Sequence, residues 1–291
     1  MLVFANTFLM KRRFFARIFS VCVCLSFCCT ACKMQNTPTQ ISQRHSLSHP
    51  SSSATQIAQP IQDTVWDVSD IANNAICNNK KYISFTFDDA PASTLDAIVG
   101  TFLTYNQNHP DCPASATLFC NGIRFHKYGI SNLQTAYLIG FEMGNHTHSH
   151  VDLTKLDENQ LRNEIDRTDR LLQKIDSKAR HLLRAPFGCM DERLRANAHS
   201  PIISWTIDTL DWTGISAQQI YQSVWNHRFN GAIVLMHDGY ENTVEALKRL
   251  LPDLYADGYQ VLSVSALSKA NACPLKIGSV YIRARKNGGS R

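Results

Sequence analysis

The sequence lacks the features that would place it in several common classes of protein. It has no apolar run of the roughly 20 residues that a membrane-spanning helix needs, and it shows no internal repeat of the kind that builds solenoids. Its net charge beyond residue 31 is also small, because the four basic residues before that point supply most of the formal net charge of +5. A nearly neutral chain gives no electrostatic reason to expect nucleic acid or acidic lipid as a partner.

The first 32 residues have the pattern of an export signal. Residues 11–13 are basic, and residues 18–31 are almost all apolar or small, as in a secretory signal. The run ends in Cys29-Thr30-Ala31-Cys32, which resembles a bacterial lipoprotein signal with Cys32 as the lipidated residue. Because Lys33 follows, the resemblance implies export and anchoring at the outer membrane on its periplasmic side, or at the cell surface. An ordinary cleaved signal and an uncleaved anchor are the alternatives.

The ten cysteines fall into two groups. Five lie in the export signal, and the remaining five are Cys77, Cys112, Cys120, Cys189 and Cys273. An oxidising compartment permits disulfides, and an odd number leaves at least one thiol unpaired. We hypothesise that Cys77 and Cys273 tie the two ends of the domain together, and that Cys112 and Cys120 close a short loop.

Composition divides the chain into four parts. Residues 1–32 are the export signal, and residues 33–64, rich in Ser, Gln, Thr and Pro, are predicted to be a flexible tether. Such a stretch has too few large apolar side chains to offset the entropy of ordering it. Residues 65–282 have the composition of a folded domain, and the basic, Gly-rich tail at 283–291 is expected to fray.

Strand-like and helix-like segments alternate through the predicted domain. The strand-like runs are 83–87, 116–120, 182–183, 202–207, 232–236 and 260–264. The clearest apolar stripes at helical spacing are Leu161, Ile165, Thr168, Leu172 and Ile175, and then Val244, Leu247, Leu251 and Leu254. This alternation predicts an α/β fold with a parallel sheet that is either open or closed into a barrel.

Polar side chains follow these strand-like runs. They are Asp88, Asp89, His146, His150, Arg184, Asp208, Asp211 and His237. Parallel α/β folds build their active sites at the carboxyl ends of their strands. Several polar clusters in that position therefore predict one shared site.

Two of these clusters suggest a metal. His146, His148 and His150 lie within five residues of sequence, and neutral histidine is the commonest metal ligand. A set of solvated loop histidines is the alternative. Asp88 and Asp89 end a strand-like run, where a cation would offset the repulsion between their carboxylates. A helix cap or a turn is the alternative for this pair.

Five short motifs occur in a fixed order. They are Thr86-Phe87-Asp88-Asp89, His146-Thr147-His148-Ser149-His150, Arg184-Ala185-Pro186-Phe187-Gly188, Asp208-Thr209-Leu210-Asp211-Trp212 and Leu235-Met236-His237. Together, over residues 80–268, they resemble the polysaccharide deacetylases of carbohydrate esterase family 4, also called the NodB-homology family. Each motif alone is weak evidence, whereas five in order are specific. The resemblance implies a distorted (β/α) barrel with about seven strands.

The resemblance also implies a metal centre and a general base. Asp89, His146 and His150 would ligate one divalent ion, and this ligand set suits zinc while also accepting cobalt or nickel. The ion would lower the pKa of a water and polarise the acetyl carbonyl. Asp88 would take the proton of that water, and Arg184 would hold Asp88 in place and keep it ionised.

The remaining motif residues are implied to act on the leaving group and the acetyl group. His237 would be the general acid, and Asp211 would orient it and favour its protonated form. The backbone N–H of Phe187 would help to bind the oxyanion. Trp212 and Leu235 would wall the pocket for the acetyl methyl group.

Three polar or reactive residues near the motifs receive no catalytic role. His148 stands at a variable place in its motif and is interpreted as a non-ligand. Asp208 could structure its loop rather than contact His237. Cys189 is interpreted as a buried, small apolar residue.

The implied activity is hydrolysis of N-acetyl groups on an N-acetylglucosamine-containing polysaccharide, such as peptidoglycan, a chitin-like oligomer or an exopolysaccharide. An O-acetyl esterase acting on acetylated xylan-type glycans is the first alternative. A non-catalytic glycan-binding protein is the second. Degenerate family members usually lose the base or a ligand, and this sequence keeps both.

Overall fold

A computed structural model of the protein describes residues 64–70 and 75–286. The predicted export signal with Cys32, nearly all of the tether and the end of the tail lie outside the described residues. Within the described part of the chain, no helix combines the length and the apolar character needed to cross a membrane.

The described part of the chain contains one sheet of nine strands. The strands are β1 (Lys81–Ala90), β2 (Thr117–Cys120), β3 (Glu142–Asn145), β4 (Leu182–Leu183), β5 (Ile202–Ile203), β6 (Ile207–Asp208), β7 (Ala232–His237), β8 (Tyr259–Leu262) and β9 (Val280–Tyr281). They pair in parallel in the order β6-β7-β1-β2-β3-β4-β5-β9, and β8 pairs with the amino-terminal half of β1.

The sheet is a distorted, incomplete barrel, as predicted, in which eight strands curl through 255°. The strand count exceeds the expected seven because four strands have only two residues each. The run predicted at 202–207 is one of the reasons, since it forms two separate strands, β5 and β6.

Helices surround the sheet. They are α1 (Leu95–Asn108), α2 (Phe125–Tyr128), α3 (Ser131–Leu138), α4 (Glu158–Asp176), α5 (Glu192–Asn197), α6 (Ala217–His227), α7 (Glu241–Ala256) and α8 (Val264–Ala270). α4 begins with a capping box in which Asp157 and Gln160 satisfy each other's backbone N–H groups. Both predicted apolar stripes are confirmed, because they supply the buried faces of α4 and α7.

The central strand β1 separates the apolar core from the barrel interior. Successive side chains of a strand point to opposite faces, so Ile83, Phe85 and Phe87 share one face and pack into the main apolar cluster with the helices. Thr86 and Asp88 share the other face and are also buried. The strand therefore presents polar groups to the inside of the barrel without exposing them to bulk water.

The disulfide connectivity differs from both hypotheses. Cys77 pairs with Cys112, with a Cα–Cα distance of 5.7 Å, whereas Cys120 and Cys273 are buried and free and Cys189 is a half-buried free thiol. A bond between Cys112 and Cys120 is excluded because Cys112 precedes β2 and Cys120 ends it. Cys112 is bonded to Cys77 in the loop before β2, and four extended residues of roughly 3.3 Å each carry the chain from the start of β2 to Cys120.

The segment from residue 280 to residue 284, named here the C-terminal strap, crosses the amino-terminal end of the barrel. β9 pairs with β5, Arg283 bridges to Ala232 at the start of β7, and Ala284 donates its N–H to the carbonyl of Gly231 at 2.9 Å. Ala284 is fully buried. The strap spans the gap between β5 and β7, and Ala284, just beyond the predicted boundary at residue 282, packs against the barrel.

Candidate active site

The predicted site residues converge at the carboxyl ends of the strands. A cavity of about 430 Å³ opens there, and its lining residues are Asp88, Asp89, His146, His150, Phe187, Trp205, Asp208, Trp212, Leu235, His237 and Tyr240. Two predicted residues, Arg184 and Asp211, lie behind this lining and are almost completely buried. The structure therefore brings the whole predicted set together around one cavity.

The backbone is strained around this cavity. Eight described non-glycine residues have positive φ angles, a backbone conformation that residues with a Cβ atom rarely adopt. Five of them belong to the motifs, namely Asp89, Thr147, His150, Phe187 and Leu210. Strain of this kind persists only where surrounding structure over-determines it, and it is concentrated at functional sites.

One carboxylate and two imidazoles form a cluster that fits a metal ion. The ligand atoms of Asp89, His146 and His150 lie within 4.8 Å of one another. Nδ1 of His146 is 2.8 Å from the carbonyl oxygen of Arg184, which can only accept, so Nδ1 must carry the hydrogen. Nε2 of His146 therefore keeps its lone pair toward the cluster.

Asp89 supports this interpretation. Its Oδ1 is buried and makes no hydrogen bond to any described residue, although it lies 3.6 Å from Nε2 of His150. A buried carboxylate oxygen without a donor is costly unless a cation compensates for it. The donor set and the orphaned oxygen both fit a divalent ion.

Asp88 is held by a buried arginine. Nη1 of Arg184 donates to Oδ1 of Asp88 at 2.8 Å and to Oγ1 of Thr86 at 2.6 Å. The same guanidinium donates to the carbonyls of Ile203 and Ser204. Burial opposes ionisation of Asp88, but the positive charge of Arg184, followed by the neighbouring histidines, outweighs burial and lowers the pKa of Asp88 below its usual value.

His237 is paired with a second buried carboxylate. Its Nδ1 lies 2.7 Å from Oδ1 of Asp211, and its backbone N–H donates to Oδ2 of Asp211 at 2.8 Å. The hydroxyl of Thr243 also donates to Asp211. Burial disfavours the protonated form of His237, but the hydrogen bond to Asp211 and the negative charges of Asp88 and Asp211 raise the pKa of His237 above its usual value. Nε2 is the ring nitrogen left for the cavity.

Phe187 lies in a tight turn after β4. The hydrogen bonds that close this turn are donated by Gly188 and Cys189, to the carbonyls of Ala185 and Pro186, and they do not use the Phe187 N–H. The ring of Phe187 is 66% exposed and lies edge-on to His150, with 4.7 Å between ring centroids. The N–H of Phe187 is therefore not taken up by the hydrogen bonds that close the turn.

The other two predicted pocket residues differ in exposure. Leu235 of β7 is buried, whereas Trp212 is 53% exposed. Two further aromatic residues that the sequence patterns did not single out also line the cavity, Trp205 and Tyr240. Each lies three residues from a motif residue, Trp205 before Asp208 and Tyr240 after His237, and this proximity is the only sequence signal that could have identified them.

The three residues left without a catalytic role differ in position: Asp208 lines the cavity, whereas His148 and Cys189 do not. His148 does not belong to the metal-ligand cluster found among the described residues. Oδ1 of Asp208 accepts a hydrogen bond from the N–H of Leu210 at 2.9 Å, so Asp208 structures its own loop. Cys189 is half-buried and not buried as predicted, and it is not part of the cavity lining.

Comparison with known proteins identifies relatives that are similar in sequence and in fold. The family model for polysaccharide deacetylase matches residues 75–201. A peptidoglycan-N-acetylglucosamine deacetylase from Bacillus cereus is 31% identical over 223 residues, which covers 72% of this chain and 94% of that protein. The peptidoglycan-N-acetylmuramic acid deacetylase PdaC from Bacillus subtilis is 30% identical and matches 66% of this chain, which spans only 39% of the length of PdaC.

One of the similar solved structures contains a metal ion. The family 4 acetyl xylan esterase from Clostridium thermocellum, in complex with a cobalt ion, superposes with a TM-score of 0.64 at 25% identity, over 70% of this chain and 98% of that one. The cluster of one aspartate and two histidines is consistent with a divalent-metal site of this family's type. The match to the Bacillus cereus deacetylase covers nearly the whole length of that protein. The chain therefore belongs to the polysaccharide deacetylase family, carbohydrate esterase family 4 with the NodB-homology fold.

Proposed function

We propose that the protein is a metal-dependent hydrolase that removes N-acetyl groups from an N-acetylglucosamine-containing polysaccharide. The observation that carries the proposal is the meeting of two buried pairs, Asp88 with Arg184 and Asp211 with His237, at the cavity that also holds the metal cluster. One pair has a lowered carboxyl pKa and the other a raised imidazole pKa. A base and an acid with separated pKa values are what amide hydrolysis requires.

Asp88 is the proposed general base. Arg184 occupies Oδ1, while Oδ2 lies 3.5 Å from Nε2 of His146 and thus points toward the metal cluster. When bound by Asp89, His146 and His150, a divalent ion, proposed to be zinc, supplies Lewis-acid activation of water and of the acetyl carbonyl. Asp88 then accepts the proton of the attacking water, and Arg184 keeps the carboxylate ionised and in place.

His237 is the proposed general acid. Its Nδ1 is fixed by Asp211, so Nε2 is the atom that donates a proton to the leaving nitrogen of the sugar. The raised pKa of His237 favours the protonated form that can donate this proton. Asp211 acts by orienting the ring and stabilising its cationic form.

The remaining groups shape the transition state and the pocket. The N–H of Phe187 is proposed to stabilise the developing oxyanion. Leu235 and Trp212 wall the space for the acetyl methyl group. No serine or cysteine nucleophile is required, because water attacks the carbonyl.

The test is acetate release, measured side by side on N-acetylglucosamine oligomers and on acetylated xylan. We expect turnover on the oligomers, loss of that turnover with a chelator and its recovery with zinc or cobalt. Acetate released from xylan alone would replace the proposal with an O-acetyl esterase, as in the acetyl xylan esterase relative. Turnover that is indifferent to chelator would reject the metal mechanism.

We further propose that the protein acts outside the cytoplasm, anchored through a lipid on Cys32 at the outer membrane or cell surface. The export-like pattern of residues 1–32 and the peptidoglycan substrates in the names of two relatives support this. Replacing Cys32 by serine should move the protein from the membrane fraction to the soluble fraction. An unchanged distribution would contradict the lipid anchor.

A further inference from the structure

A second concave surface lies beside the catalytic cavity. It has a volume of about 820 Å³, larger than the catalytic cavity, and its polar lining includes His126, His148, Arg167, Arg170 and Lys174. We call it the basic groove. Two segments connect it to the metal centre: His148 lies between the ligands His146 and His150 in sequence, and the short turn Gly122–Arg124 lines the groove at one end and reaches Asp89 at the other.

The positive charge of this groove comes from one face of α4. Arg167, Arg170 and Lys174 are spaced by three and four residues, so they lie on one side of the helix, and all three are exposed. None of the three forms an ion pair with any acidic group that the structure describes. The groove is therefore a concentrated positive surface on a chain with little net charge beyond residue 31.

The acidic residues of α4 are engaged elsewhere and do not neutralise this face. Glu164 accepts hydrogen bonds from the N–H and hydroxyl of Ser149. Asp166 and Asp169 both pair with Arg180. These three carboxylates are thus tied to other parts of the protein, whereas Arg167, Arg170 and Lys174 are left for a ligand.

The floor of the groove carries polar atoms without partners. His148 is only 8% exposed, and neither its Nδ1 nor Oγ1 of Thr168 has a hydrogen-bond partner among the residues described. Both atoms lie under Gly122, where an added Cβ would be 2.3 Å from Nδ1 of His148 and 2.7 Å from Oγ1 of Thr168. Only glycine permits this approach. Unsatisfied buried polar atoms are costly, but Gly122 shields these two atoms, so the cations of α4 are the groups that a ligand in the groove would meet.

We infer that the basic groove binds carboxylates carried by the polysaccharide whose acetyl groups are removed, so that the substrate is an acidic glycan rather than a neutral one. Arg167 and Lys174 are seven residues apart, about 10 Å along the helix. This spread suits several carboxylates on an extended polymer better than one compact phosphate, and guanidinium groups bind carboxylates through paired hydrogen bonds. The inference rests on the proposed deacetylase function and names its substrate class.

The test compares two charge-matched double variants. Arg167→Gln with Arg170→Gln removes two charges from the groove, and Lys248→Gln with Arg249→Gln removes two exposed charges from α7. Calorimetry measures binding of peptidoglycan strands that carry stem peptides, and of the same strands after their carboxylates are capped with methylamine. Acetate release gives kcat and KM on both polymers and on a neutral N-acetylglucosamine hexamer.

The groove variant should bind the uncapped strands about five- to tenfold more weakly than the wild type, as expected for the loss of two exposed charge contacts. Its KM should rise by the same factor while kcat is unchanged. Capped strands and the neutral hexamer should not distinguish it from the wild type, and the α7 variant should match the wild type throughout.

Equal weakening on capped and uncapped strands, or none on either, would overturn the inference. So would binding in the groove of a phosphate-bearing polymer alone. A protein that releases no acetate from any glycan would refute the proposed function, but the calorimetric comparison of capped and uncapped strands would still decide whether the groove binds carboxylates.

Discussion

The two ends of the barrel are held by different kinds of interaction. At the carboxyl ends of the strands, Arg184 and Asp88 form a buried ion pair and the backbone is strained at five motif residues. At the amino ends, a disulfide joins Cys77 to Cys112, and the C-terminal strap joins β5 to β7. The carboxyl end thus contains buried charged groups, whereas the amino end is held together by a covalent bond and by backbone hydrogen bonds.

This difference separates the sources of reactivity and stability. Burying a charged pair costs desolvation energy that its mutual attraction only partly repays, so the polar end is expected to contribute little net stability. A disulfide, in contrast, stabilises chiefly by restricting the unfolded chain. Substitutions at the carboxyl end should therefore change rates, and those at the amino end should change the free energy of unfolding.

The largest expected effect is the loss of the base. Asp88→Asn removes the proton acceptor but leaves an oxygen that can accept from Arg184, so the fold and the metal should be retained. We expect kcat to fall about a thousandfold, within the range for general base catalysis. The measurements are acetate release and metal content of the purified variant. A variant with wild-type turnover would show that Asp88 is not the base.

At the opposite end, removal of the disulfide should change stability alone. Cys77→Ser with Cys112→Ser opens a loop with a sequence separation of 35 and should lower the free energy of unfolding by about 3 kcal/mol, measured by urea denaturation. Cys189→Ser, which removes a free thiol, is the matched control and should have little effect. A fall in kcat of the double variant, measured while it is folded, would contradict the separation of stability at one end from reactivity at the other.

A smaller effect on rate is expected from the partner of the acid. Because Asp211 raises the pKa of His237, the protonated form of His237 persists to higher pH, and Asp211→Asn should lower that pKa. The alkaline limb of the pH–rate profile should then move to lower pH, and kcat should fall roughly tenfold or more. Thr243→Val removes one hydrogen bond to Asp211 but no charge, and should shift the limb less. An unmoved limb in Asp211→Asn would mean that His237 is not the titrating acid.

The smallest effect is expected at Phe187. Phe187→Tyr adds a hydroxyl to a ring that is largely exposed and leaves the backbone N–H unchanged. We expect kcat/KM to change by less than about twofold, as for most exposed substitutions. A large change, measured on N-acetylglucosamine oligomers, would mean that the ring and not the backbone contacts the reacting group.

The fold class and the metal cluster could be predicted from sequence because short segments encode them. The polar end of β1 places Asp88 and Asp89 beside each other, and the spacing of His146 and His150 places both imidazoles in one loop. The resemblance to a known family linked these segments to Arg184, Asp211 and His237, which the structure brings to the same place.

What could not be predicted depends on long-range geometry. The partner of Cys77 is set by how the loops at the amino end meet, where Gln260 accepts from the N–H of Cys77 and donates to the carbonyl of Pro113. Trp205 and Tyr240 line the cavity from loops with no pattern of their own. A two-residue strand such as β9 is too short for any periodicity to reveal it.

The C-terminal strap has a consequence for how the chain avoids aggregation. Within the described barrel, β9 follows every other strand along the chain, so the outer edge of β5 stays without its partner until residues 280–284 have been synthesised. Pairings between distant segments form late in folding, and an uncovered edge strand is a template for association with another chain. A chain cut before Val280 would keep every proposed catalytic residue and yet expose this edge. Such a chain is expected to aggregate even though its catalytic groups are complete.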